Sequence, residues 1–354
     1  MAVDWPKFRC DPANTGTYDG GLDVRDWQAP AWTVETGDPI GTSPAVVSGV
    51  AYVGNDEGAF LAVDADRGQI EWKTPLGAGV HSSPAVAAGL VYVGCDDGAV
   101  YALDAATGEE RWRCGTDGPV LSSPVVVGGT LFVGSDDGAV YGLDGDDGSV
   151  VWRQRVGTAV GSSPAVVGDV VYVGTATGAV VALDAADGGF RWTYRTNGTV
   201  VSSPAVADGR LYVGSEDGAV YGVDLDDGSL SWRYQTTGGV ISSPAVDEGR
   251  VHVGVPQTDV HFESVGGSVA TLDAADGSEK WSFDADGFVD ASPAIADGVV
   301  VVGSHDGFVY ALDATDGSAV ARFDAKAPLL SSPAVADGRV YVGTDGGRLL
   351  ALGE

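Results

Sequence analysis

Residues 203–240 read SPAVADGRLYVGSEDGAVYGVDLDDGSLSWRYQTTGGV, and this stretch decides the fold. It holds four short runs rich in valine, tyrosine and tryptophan at period two: Ala205-Val206, Leu211–Val213, Ala219–Val223 and Leu230–Trp232. Between them stand Asp208-Gly209, Asp217-Gly218 and Asp227-Gly228. Such pairs are hairpin signals, because glycine reaches positive φ at no steric cost and aspartate bonds nearby backbone donors. No segment carries a helical period, so the unit reads as four antiparallel strands.

The same unit runs through the chain. Ser-Pro followed by an apolar pair recurs at Ser43, Ser83, Ser123, Ser163, Ser203, Ser243, Ser292 and Ser332, at spacings of 40 residues except for 49 between Ser243 and Ser292. Four strands per forty residues, repeated eight times, predict an all-β, eight-bladed β-propeller of four-stranded blades. The ends argue for a closed ring. The last repeat stops after its third strand at Leu349–Leu352, while Ala31–Val34 lies in register with the fourth strands, 40 residues ahead of Trp72. A strand around Trp32 is therefore expected to complete the last blade, leaving no open array edge. Proline cannot donate to a ladder, which puts each Ser-Pro strand at the inner edge, lining a central channel. Residues 1–29 form a lead-in and 30–354 the propeller.

Among the 354 residues, 50 are acidic and 19 basic, a net charge of −31, and only four are lysines. A charge of this sign excludes a basic nucleic-acid groove and disfavours an anionic membrane surface. Aspartate-rich, lysine-poor surfaces resemble those of proteins from salt-in halophiles, where salt screens the self-repulsion. The opening MAVDWPKFRC lacks the apolar stretch of a secretory leader, so a cytoplasmic monomer is expected; an extracytoplasmic location would require a leader outside this sequence. Direct membrane insertion is not expected either, since the longest uncharged run, Thr74 to Cys95, contains two prolines and four glycines. A third strand should separate Cys95 from Cys114, leaving both as free thiols.

The turn into each fourth strand reads LDAATGEERW at Leu103–Trp112, LDAADGGFRW at Leu183–Trp192 and LDAADGSEKW at Leu272–Trp281. With Tyr-Val-Gly on the preceding strand, this pattern resembles the pyrroloquinoline-quinone-type (PQQ-like) propeller repeat, and Trp5–Gly16 is similar to the lead-in of such proteins. The resemblance implies that Trp32, Trp72, Trp112, Trp152, Trp192, Trp232 and Trp281 dock onto neighbouring blades. Ala321 breaks the pattern in blade 7, whose seam is expected to be the weakest. That family includes both quinoprotein dehydrogenases and cofactor-free, BamB-like scaffolds.

Neither a nucleophile elbow, HExxH, a phosphate loop nor CxxC is present. The expected function is a non-catalytic scaffold that binds a protein or peptide partner through its loop face and channel mouth, without a cofactor. The alternative is a quinoprotein dehydrogenase using PQQ with calcium. The residues two before each Ser-Pro should ring the mouth, with His81 and Asp290 its ionisable members. The nine-residue insertion of repeat six, within Val255–Gly266, should protrude beside it. There Asp259, His261 and Glu263 would share one side of a strand and Phe262 the other, where an exposed aromatic could anchor a partner. No metal site is expected from that trio. His252 replaces the tyrosine of Tyr92 and Tyr212 and reads as a core residue. The aspartate clusters read as turn formers rather than calcium ligands.

Overall fold

The computed structural model describes residues 4–25, 27–258 and 264–353. These residues form eight antiparallel sheets, each with a Ser-Pro repeat at its inner edge. Blade 5 shows the plan: Ala205–Ala207 innermost, then Arg210–Ser215, Ala219–Asp224 and Leu230–Gln235 outermost. In blade 3, Ala139–Asp144 is buried except at its last residue, while the outer Val150–Arg155 buries Trp152, half-buries Gln154 and exposes the rest. A third strand is sandwiched between neighbouring blades and must be apolar on both sides; an outer strand needs only one apolar side. Each proline sits just ahead of its inner strand rather than within it. Its ring then costs the ladder no donor, and its carbonyl stays free.

Closure follows the expected route. Trp32–Glu35 pairs antiparallel with Arg348–Leu352, Trp32 opposite Ala351, and becomes the outer strand of blade 8. A one-residue bulge precedes the tryptophan of blades 1 to 6 and turns its indole toward the next blade. All seven tryptophans then donate from Nε1 to a carbonyl in the next blade's turn, from Trp32 to Ala65 at 2.8 Å through Trp281 to Ala314 at 3.1 Å. The turn glycine beneath each indole has no alternative: at Gly148, φ is +74° and a Cβ would lie 2.5 Å from the Trp112 ring.

In blade 7 Ala321 stands at the tryptophan position, and blade 8, whose outer strand is Trp32–Glu35, presents no hairpin turn between its third and fourth strands to receive an indole. The lead-in fills that seam instead. Leu22 and Trp27 join an apolar cluster spanning blades 7, 8 and 1, with Ala321 and Phe323 packed against it. The expectation of a weak seam therefore has to reckon with packing that the repeat pattern does not reveal.

The lead-in also makes a circuit of the ring. The N–H groups of Val46, Val86, Val166, Val206, Val246 and Ile295, one on each of six inner strands, donate to the carbonyls of Trp5, Pro6, Pro12, Ala13, Thr15 and Gly16 at 2.7–2.8 Å. Thr17–Tyr18 adds a parallel strand to blade 7, and Leu22 bridges to Gly338 in blade 8. Inner-strand donors that would otherwise face an empty channel are thereby satisfied.

Candidate functional site: the channel mouth

The loops joining strands two and three lie against those joining one blade to the next. Asp56 N–H donates to Pro39 O, Asp96 to Gly79 O, Asp136 to Pro119 O, His305 to Phe288 O and Asp345 to Pro328 O. Both loop sets therefore share one face, as the sequence predicts, and the lead-in occupies the inner ring behind it.

His81 and Asp290 both belong to one charged arc. His81 Nδ1 lies 2.9 Å from Asp96 Oδ2, and its Nε2 lies 3.6 Å from Asp56 Oδ1. On blade 7, five blades further round the ring, Asp290 Oδ2 lies 3.4 Å from His305 Nε2. Asp345 on blade 8 links the two groups electrostatically: burial pushes its carboxyl up, His305 opposes this and Asp56 adds to it. Asp136 on blade 3 extends the arc, raised by burial and then by Asp96 and Asp137. Burial likewise raises Asp290, against the pull of His305. The charged groups thus run over blades 7, 8, 1, 2 and 3.

The remaining positions two before each Ser-Pro are glycine or aliphatic, while exposed Glu216 adds a carboxylate on blade 5. Val201 is 43% exposed, Ile241 37% and Leu330 43%, with Leu121 partly buried. Val201 and Ile241, on blades 5 and 6, thus stand across the ring from the carboxylates of blades 1 and 2, whereas Leu121 and Leu330 lie within the charged arc. The insertion lengthens the blade 6 hairpin to Arg250–Thr258 and Ser264–Asp273, and Pro256 stands where blades 1, 2, 3 and 8 carry aspartate. Asp259, His261, Phe262 and Glu263 lie outside the described residues. Among the described residues no group of three or more His, Cys, Asp or Glu is arranged to hold a metal ion, and no helix is long and apolar enough to cross a membrane.

His252 is a core residue, buried against Trp281 at 5.7 Å between ring centroids, with Nδ1 2.7 Å from Thr271 Oγ1. The repeated aspartates are turn formers: Asp104 Oδ1 accepts from the backbone of Ala106 and Thr107, each at 3.0 Å. Asp137 accepts from Ala139 N–H at 2.8 Å and from the Tyr141 hydroxyl at 2.5 Å. Cys10, Cys95 and Cys114 are free thiols. Sequence reasoning missed Asp56, Asp96, Asp136, His305 and Asp345, although all five occupy the same repeat position, two residues after the second-strand glycine.

Closed ring, radial four-stranded sheets and tryptophan-locked seams together define a β-propeller. The chain belongs to the family described as beta-alanine-activating enzyme, beta-propeller, whose profile matches residues 40–261. The profile of outer membrane protein assembly factor BamB matches residues 265–354, in keeping with the PQQ-like repeat resemblance. None of the curated proteins matches in sequence. Solved structures share the fold at low identity. BamB from Moraxella catarrhalis is 20% identical over 91% of this chain and 98% of its own, with a TM-score of 0.77. Quinohemoprotein alcohol dehydrogenase from Comamonas testosteroni is 17% identical over 99% and 80%, with a TM-score of 0.84. The computationally designed Ika8 protein is 17% identical over 94% and 98%, with a TM-score of 0.77.

Proposed function

We propose that the chain is a non-catalytic platform that captures a protein or peptide partner at the channel mouth. The observation that carries this reading is the make-up of the rim. A carboxylate arc over blades 7 to 3 stands across the ring from exposed Val201 and Ile241 on blades 5 and 6, a surface suited to a segment that carries both basic and apolar side chains. The lead-in supports it by taking up the inner-strand donors of six blades behind the mouth, which leaves the loop face as the surface free of it. The net charge of −31 fits a saline, intracellular setting in which such a contact is screened but not abolished.

The competing reading is a quinoprotein dehydrogenase. Titration with pyrroloquinoline quinone plus calcium, followed by tryptophan fluorescence and then by dye reduction with alcohols and sugars, separates the two. The platform reading expects no saturable binding. Micromolar binding with turnover would overturn it and make His81 and Asp290 cofactor-site residues.

A further inference from the structure

Two cations lie buried where the lead-in crosses the channel. Lys7 is 5% exposed and Arg9 1%, and neither forms an ion pair among the described residues. Arg9 spans blades 6 and 7, donating to the carbonyls of Pro244, at 2.8 Å, and Pro293. Lys7 donates to Asp11 O at 2.9 Å and to Asn14 Oδ1, and Asn14 Nδ2 in turn holds the carbonyls of Pro164 and Pro204 on blades 4 and 5 at 3.2 and 3.0 Å. Of the eight N–H donors on Lys7 and Arg9, four remain without a protein acceptor, the Arg9 Nε–H among them. Burial accordingly depresses Lys7 to about 7 and Arg9 to about 9.

One residue ahead of those proline carbonyls stands a ring of serines. The backbone N–H of Ser43 donates to Ser83 Oγ at 2.9 Å, and the pattern repeats through Ser123, Ser163, Ser203, Ser243 and Ser292 to Ser332. Seven of the eight Oγ atoms, from Ser83 to Ser332, are thus used as acceptors, and their own protons find no acceptor among the described residues. Every ring serine keeps a sliver of exposure, 4–8%. The serine hydroxyls and the two cations thus lie on adjacent layers of the channel, Arg9 holding the carbonyls one residue after Ser243 and Ser292, and Asp11 is the carboxylate whose field reaches both cations without an ion pair among the described residues. A buried charge in that position needs a counter-ion.

We propose that the channel holds a halide ion, chloride in the cell, between the serine ring and the Lys7–Arg9 pair. The ion accepts from hydroxyl and N–H donors that the protein leaves open, and it ties the lead-in to the ring. A compact anion suits the narrow space, and the carboxylates around the mouth disfavour larger polyanions.

The test is diffraction at the bromine absorption edge from crystals grown in sodium bromide. An anomalous peak between the ring serines and Arg9 is expected; water or a carboxylate there, with bromide only at the outer surface, would overturn the proposal. In solution at constant ionic strength, Tm should rise by about 1–3 °C per tenfold increase in chloride. That slope should vanish in Lys7→Met, and its persistence there would also count against the site. Should Lys7→Met not fold, the bromide map of the wild-type protein decides alone.

Discussion

Trp72 Nε1 donates to Ala105 O at 3.0 Å across the seam between blades 1 and 2, while its ring lies over Gly108 of the same turn. The contact repeats wherever both an outer-strand tryptophan and a receiving turn exist. Trp152→Ala should therefore cost about 3–5 kcal/mol, as for other buried large-to-small changes. Ala321→Trp should bring no comparable gain, because blade 8 offers no turn to receive it. Denaturant midpoints check both, and a stabilising Ala321→Trp would contradict this account of the blade 7 seam.

The lead-in's circuit makes a second prediction. Removing residues 1–16 takes away the acceptors of Val46, Val86, Val166, Val206, Val246 and Ile295. Their amides should exchange with solvent at least about tenfold faster, in line with loss of more than 1.4 kcal/mol of local protection. Third-strand amides in the same blades should change little. Equal exchange at all six positions with and without the segment would contradict the assigned hydrogen bonds.

His252 gives a pH signature. Burial lowers its imidazole from 6.5 to about 3, so the folded chain stays neutral there while the unfolded chain binds a proton as pH falls below 6.5. Stability is thus lost between about pH 6.5 and 3, by up to about 1.4 kcal/mol per pH unit from this group. His252→Tyr, the residue of the equivalent Tyr212, should remove that component. The difference between variant and wild type in urea unfolding should grow steadily on acidification. A constant difference would mean that His252 is not held neutral.

The sequence makes the ring, its strand count, its closure at Trp32 and the docking tryptophans readable, because each rests on a period repeated eight times. It also places His81 and Asp290 at the mouth. Residues that matter by proximity across blades were less legible. Asp56, Asp96 and Asp345 look like the other turn aspartates until the loops are folded onto one face. Lys7, Arg9 and Asn14 lie in the one segment without a repeat, so no register marks what they touch. Their scarcity was the available signal: Lys7 is one of four lysines, and it lies buried.

The platform reading is tested most directly by fluorescence titration of the purified protein with labelled twelve-residue peptides. One set should alternate basic and aliphatic residues, and a matched set should replace the basic residues with acidic ones. The account predicts saturable binding of the basic set alone, weakening as salt rises and lost in the Asp56→Asn, Asp96→Asn, Asp345→Asn variant. Equal binding of both sets, or undiminished binding by that variant, would contradict capture at the mouth.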